Sequence, residues 1–345
     1  MRTTPPRRQG PGHDEGAGPD LLRSLNSRVV GQSHALSQIV PYVQMFQAGL
    51  APDGRPAGVF LLLGPTGTGK TRTVEALAEA LHGSQRNILK VDCGEFQMEH
   101  EVAKLIGAPP GYLGHRETQP MLTQQKLGGI TSESSSLALL LFDEIEKAAP
   151  SMTRMLLGVL DKAILRLGDN TTVNFERTLI FMTSNLGAKA MRTAIRPDFG
   201  FQFAVPPPRR SLGRKLEAIG LNAVRRKFSP EFVNRIDAVI AYQPLDAASL
   251  KEILDQQIED LEQHIQNRLG DRAFELEVSK TSRHLLLRKG TSEEYGAREL
   301  KRTILRQLTQ PLAAMLAAGQ IEPGALVRAE PAADGDRLIL LVGAK

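Results

Sequence analysis

The sequence has a single cysteine, Cys93, which excludes an intrachain disulfide and a thiolate metal cage and fits a reducing, cytoplasmic setting. It also lacks any apolar run approaching the roughly 20 residues that cross a bilayer. Its longest apolar runs are strand-sized, so no membrane partner is expected. The first twenty residues, MRTTPPRRQGPGHDEGAGPD, contain no stretch able to act as a secretory signal. Rich in Pro, Gly and charge, they read as a flexible tail over residues 1–22. No basic stripe is present either: 43 Lys+Arg against 38 Asp+Glu leave a net +5 spread over many segments. That balance permits nucleic acid without indicating it. No internal repeat is visible.

What is present is an alternation of short β-type runs with helical patterns. The runs are GVFLLLG at 58–64, NILKVDC at 87–93, LALLLFDE at 137–144, RTLIFMTSN at 177–185 and DAVIAYQP at 237–244. Such alternation predicts a buried parallel sheet covered by helices, an α/β fold. After the first run, Val74, Leu77, Ala78 and Leu81 repeat at the spacing of one helix face. Past Pro244 the pattern changes to a long helix carrying Leu250, Ile253, Leu254, Ile258, Leu261, Ile265 and Leu269, with Gly270 as its C-cap. A large domain at 23–244 and a small one at 245–345 are therefore expected. The small domain continues through a helix near 280–289, another over about 296–318 containing Pro311, and a closing pair of strands at ALVRAE and RLILLV. The Pro-rich VPPPRR at 205–210 reads as a surface loop.

GPTGTGKT comprises Gly64, Pro65, Thr66, Gly67, Thr68, Gly69, Lys70 and Thr71, and it matches the P-loop pattern between a strand and a helix. Glycines without side chains let backbone N–H groups wrap phosphates, and the helix N-terminus adds favourable dipole charge. Lys70 is expected to neutralise the β and γ phosphates and Thr71 to offer its hydroxyl to Mg²⁺. LALLLFDE ends a buried strand with two carboxylates, a costly place for charge without a metal or a catalytic water. Asp143 is expected to hold the Mg²⁺ shell and Glu144 to polarise the attacking water. Asn185, closing FMTSN, is a candidate to orient that water near the γ phosphate.

Taken together, RVVGQ at 28–32, GPTGTGKT, KLIGAPPGYLG at 104–114, FDEIEKA, VNFERTLIFMTSNLG, FSPEFVNRID at 228–237 and YGARELKR at 295–302 carry a specific resemblance. Over residues 25–332 the chain resembles the Clp-type AAA+ unfoldase ATPases, closest to the second AAA+ module of ClpB disaggregases. The resemblance implies a three-layer αβα P-loop NTPase with sheet order 5-1-4-3-2 and a smaller α/β lid. It also implies homo-hexamers with ATP at each subunit boundary. Val29 and Val30 would then join the nucleotide site, and Arg298 would match the lid residue that senses the nucleotide. Arg235 would match the arginine finger that reaches the neighbouring subunit's γ phosphate, as a fixed planar cation suits developing phosphoryl charge. The ordinary alternative for Arg235 is a surface pair with Glu231 or Asp237.

Gly111, Tyr112, Leu113 and Gly114 match the family's pore loop, in which ringed aromatics grip unfolded or tagged protein without reading its sequence. Where relatives often have a second aromatic and a Gly pair, this chain has His115, Arg116, Glu117 and Thr118. Phe199, Gly200 and Phe201 lie where protease-linked relatives carry a tripeptide that docks a Clp peptidase, though packing against the adjacent helix is the plainer reading. The expected function is an ATP-dependent unfoldase that threads polypeptide through a hexameric pore. The regulatory ATPase of a Clp protease is one alternative, and a nucleic-acid-remodelling loader is another from a different class.

Overall fold

A strand of uninterrupted apolar residues must be covered on both faces, and β1 (Gly58–Leu63) is buried at every position. Its side chains alternate: Val59, Leu61 and Leu63 enter one apolar cluster, Phe60 and Leu62 another. The structure is a computed structural model and describes residues 17–107, 120–195, 209–291 and 296–343. Beside β1 lie β2 (Leu89–Asp92), β3 (Ala138–Asp143), β4 (Thr178–Ser184) and β5 (Ala238–Ala241). All pair in parallel, in the spatial order β5-β1-β4-β3-β2 that the family resemblance implies. Leu25, Leu36, Ile39, Val74 and Leu77, from helices Ala17–Arg28, Ser33–Gln47 and Lys70–His82, fill one side of the sheet. Met152, Leu156, Met191 and Leu216, from helices Pro150–Lys162, Ala188–Ile195 and Arg209–Lys227, fill the other.

Several boundaries differ from the sequence reading. The first helix begins at Ala17, inside the stretch read as tail, because Leu21, Leu22 and Leu25 form an apolar face that packs on the core. β2 stops at Asp92, whose carboxylate accepts the Gly94 N–H at 2.9 Å and turns the chain into a short 3₁₀ segment. A hairpin of Ile164–Arg166 and Thr172–Asn174 is absent from the sequence reading, since three residues per strand are too few to show a period.

Beyond the sheet, helix Ala247–Leu269 starts at Asp246, whose side chain accepts the Ser249 N–H at 2.8 Å, and ends at Gly270 with φ 52°. Leu250, Leu254, Ile258 and Ile265 point from it into a third, separate apolar cluster with Leu286, Leu300, Leu308 and Val327. The small domain holds three strands rather than a closing pair: β6 (Glu275–Val278) lies parallel to β7 (Leu326–Pro331), which pairs antiparallel with β8 (Leu338–Gly343). ELEV is too short and too acidic to stand out as a strand. The helical run from Ala297 to Ala317 opens into a π-turn at Leu305–Thr309, where the Gln310 N–H reaches back to Leu305 O. Pro311 accounts for it, as its ring lacks an N–H and crowds the carbonyl four residues earlier. Among the described residues no helix is long and apolar enough to cross a membrane.

Candidate active site

Parallel strands bring their C-terminal ends to one edge of the sheet. Leu63 registers with Ser184 and Asp92 with Asp143, so the loop after β1, the acids that end β3 and Asn185 after β4 meet there. The loop Gly64–Thr71 leads into helix Lys70–His82, and its three glycines have φ of 145°, 76° and 101°, backbone that favours glycine. A Cβ on Gly64 would stand 2.9 Å from the Tyr242 carbonyl oxygen. Tyr242 is fully buried beneath this turn; its hydroxyl donates to Thr73 Oγ1 at 2.7 Å, and Thr73 donates to Gly69 O at 3.0 Å. Val29 and Val30 are both buried, and Val29 Cγ1 lies 3.9 Å from where a Gly69 Cβ would be. Gln32, 3% exposed, straps the loop to the end of β5. Its Nε2 donates to Thr68 O at 3.1 Å and Gln243 O at 2.8 Å, and its Oε1 accepts the Gln243 N–H at 3.2 Å.

Lys70 is buried at the centre of the edge. Its Nζ donates to Gly64 O at 2.7 Å, Pro65 O at 2.9 Å and Asn185 Oδ1 at 3.0 Å. Burial lowers its pKa to about 8, against the opposing pull of Glu146 and Asp143. Burial disfavours the charged ammonium, and an anion placed beside it, as a phosphate would be, offsets that cost.

Asp143 and Glu144 take different environments although adjacent. Burial alone would raise the Asp143 pKa, but hydrogen bonds from Lys90 and Thr183 hold it below the ordinary carboxylate value. Lys90 Nζ sits 2.7 Å from Asp143 Oδ2, and Thr183 Oγ1 donates to Oδ1. Glu144 has left-handed backbone, φ 57° and ψ 51°, a conformation costing about 1–3 kcal/mol for a residue with a side chain. Thr183 supports the turn by accepting the Glu144 N–H at 3.0 Å. The Glu144 carboxylate lies between Asn185 Nδ2, 3.3 Å from Oε1, and Lys147 Nζ, 2.5 Å from Oε2. Glu146 Oε1 accepts the Asn185 N–H at 3.0 Å and so fixes the backbone from which the carboxamide projects.

The small domain touches this edge directly. The Ala297 N–H donates to Gly67 O at 3.2 Å, and Gly296 approaches so closely that a Cβ there would be 3.0 Å from Gly67 O. Arg298 follows on the same helix, exposed, and its charge is felt at Lys70. Arg235 is placed elsewhere, on the turn after Pro230–Val233, with Nη1 2.5 Å from Asp161 Oδ1. The pair with Glu231 or Asp237 raised as the ordinary alternative does not form: the acid paired with Arg235 is Asp161, and Asp237 is occupied by Arg55 at 3.3 Å and by the Val59 N–H at 2.8 Å. Gly111–Gly114 with Tyr112, and Phe199–Phe201, lie outside the described residues.

The residues present fit a nucleotide with Mg²⁺. Side-chain-free backbone stands at a helix N-terminus, and a carboxylate held ionised stands at the neighbouring strand end. Among the described residues there is no cluster of three or more His, Cys, Asp or Glu able to hold a metal. Mg²⁺ needs none, because it takes one or two protein oxygens and the rest from phosphate and water. Sequence reasoning did not single out Gln32, Lys90, Glu146, Lys147 or Thr183. Gln32 was visible inside RVVGQ, and Glu146 and Lys147 inside FDEIEKA, where Lys147 stands three residues from Glu144; Lys90 and Thr183 depend on which strands lie side by side.

Residues 55–239 match the family model described as AAA domain (Cdc48 subfamily), and residues 245–329 match the C-terminal, D2-small domain of ClpB protein. Among curated proteins the chain is 36% identical over 320 residues to Chaperone protein ClpB of Meiothermus ruber, covering 90% of this chain and 34% of that protein. It is 37% identical over 313 residues to Chaperone protein ClpB of Aquifex aeolicus, covering 89% of this chain and 29% of that one. The chain thus spans about a third of the length of these relatives. Among solved structures it superposes on a chain of the S. cerevisiae Hsp104:casein complex in its extended conformation. The TM-score is 0.80 at 26% identity, over 96% of this chain and 53% of that one.

Proposed function

The chain belongs to the AAA ATPase family, with a small domain of the ClpB D2 type behind its nucleotide-binding module, and from that premise we propose an ATP-driven protein unfoldase working as a homo-hexamer. The observation that carries the reading is the single carboxamide of Asn185, which bonds both Lys70 and Glu144 at the edge where the small domain also docks. One site therefore holds a phosphate-seeking cation, a base, a residue coupling the two, and a lid contact able to sense the result.

In this scheme the Gly64–Thr71 backbone and Lys70 bind the triphosphate, Val29 and Val30 flank the nucleotide, and Thr71 and Asp143 hold Mg²⁺. The ion, when bound, neutralises charge developing on the phosphate oxygens. Glu144 accepts the proton of the attacking water, and Asn185 keeps that carboxylate aimed. Arg298 carries the change to the small domain, and Arg235 completes the neighbouring protomer's site. Tyr112 grips the polypeptide. The superposed Hsp104 is in complex with casein, which supports a polypeptide as the substrate class here. Kinship with the ClpB chaperones supports a cytoplasmic location.

The test compares wild type with Tyr112→Ala for ATP hydrolysis and for unfolding of a tagged fluorescent protein. Threading requires hydrolysis to persist while unfolding is lost. Unfolding at the wild-type rate would remove the threading reading.

A further inference from the structure

Arg235 has an unexpected anchor. Asp161 lies in the last turn of helix Pro150–Lys162, the negative end of the helix, where a carboxylate is disfavoured unless a cation meets it. Arg235 is that cation. With the two side chains 38% and 32% exposed, the pair stands at the surface of the fold, where an ion pair contributes little to stability. Its effect is on direction. One guanidinium nitrogen, Nη1, is ion-paired with Asp161 Oδ1, and among the described residues no second acid is paired with the rest of the planar fork, which can meet another anion.

Both ends of the pair are set on rigid supports. On the Asp161 side, Leu156, Val159 and Leu160 of the same helix are buried, and Ala163 closes it with φ 52°. On the Arg235 side, Phe232 is 1% exposed and stacks on Phe228 at 5.0 Å, and the Arg235 N–H donates to Phe232 O at 3.2 Å. A guanidinium on a long side chain needs such a fixed partner if it is to meet a phosphate at one angle rather than sweep a cone.

We propose that Asp161 is a positioning residue for Arg235, holding its guanidinium at the angle at which the γ phosphate of the adjoining protomer accepts it. The inference rests on the reading that Arg235 acts across a protomer boundary. Asp161 touches neither nucleotide nor water in this scheme and acts through Arg235 alone.

The experiment measures steady-state hydrolysis and fluorescent-nucleotide affinity for wild type, Asp161→Asn, Asp161→Glu, Arg235→Ala and the double variant Asp161→Asn with Arg235→Ala, all in the full chain. Asp161→Asn is expected to lower kcat about tenfold with nucleotide Kd and the urea midpoint unchanged, and Asp161→Glu to recover most of the loss. In the double variant, hydrolysis should equal that of Arg235→Ala alone, since residues acting in series do not add. A wild-type kcat in Asp161→Asn, or losses that multiply in the double variant, overturns the proposal while leaving the role of Arg235 standing. Full hydrolysis by Arg235→Ala overturns both together.

Discussion

The carboxamide nitrogen of Asn185 lies 3.3 Å from Glu144 Oε1, and this bond crosses from the end of β4 to the end of β3. Its consequence is directional. Lys147 holds the other carboxylate oxygen, so Asn185 decides how the free lone pairs of Glu144 are aimed. Replacing Asn185 by Ala should lower kcat about tenfold to hundredfold, the range for a misaligned base, with KM altered less because the P-loop backbone remains. Steady-state kinetics read this directly; a wild-type kcat would separate Asn185 from the chemistry.

Gly296 meets the P-loop so closely that a Cβ would stand 3.0 Å from Gly67 O and require the loop to give way, and its φ is 51°. Gly296→Ala adds steric and backbone strain on the order of 1–3 kcal/mol, relieved by moving the small domain off the loop. ATP affinity should fall by about tenfold in a fluorescent-nucleotide titration, with the far-UV spectrum unchanged. Unaltered affinity would mean that this contact does not serve binding.

Gln32 ties the P-loop to β5 through three hydrogen bonds. Gln32→Leu keeps the volume and leaves two carbonyls and one N–H without their partner, at about 1–3 kcal/mol for each group that stays buried and unsatisfied. The urea midpoint should drop measurably, and ATP should restore part of it by binding the folded state.

His82 supplies a pH dependence. Burial lowers its pKa from 6.5, while its ring nitrogens sit 3.0 Å from Ser132 Oγ and from Leu137 O. Below about pH 6.5 the unfolded chain takes up a proton that the native histidine resists, so this group's contribution to stability is full at higher pH and declines on acidification. His82→Gln should flatten the fall in urea midpoint between pH 7 and pH 5, to the degree that His82 causes it. An identical slope in both proteins would assign the acid limb to other groups.

Much of this is legible in the residues alone, for identifiable reasons. GVFLLLG and RTLIFMTSN are long enough and apolar enough to be buried on both faces, and a parallel sheet then places Lys70, Asp143, Glu144 and Asn185 on one edge. The order of the five strands comes from family resemblance, since periodicity is silent on which strand lies beside which. Partnerships are less readable. Lys90 reaches Asp143 and Thr183 joins Asp143 to Glu144 because β2, β3 and β4 are neighbours; no spacing along the chain contains that. Asp161 is 74 residues from Arg235, and local sequence points to nearer acids. Short elements such as ELEV escape because four residues are compatible with several structures.

We propose that Glu144 of one protomer, as base, and Arg235 of the next, as finger, complete a single site, and complementation between variants expected to be inactive alone tests this most directly. Glu144→Gln protein retains Arg235 but lacks the base; Arg235→Ala protein retains the base but lacks the finger. Mixed before assembly, the two should regain ATP hydrolysis, with a maximum at intermediate ratios where intact bases face intact fingers. Hydrolysis that never exceeds the weighted sum of the separate variants, or full activity of Arg235→Ala alone, would contradict the account.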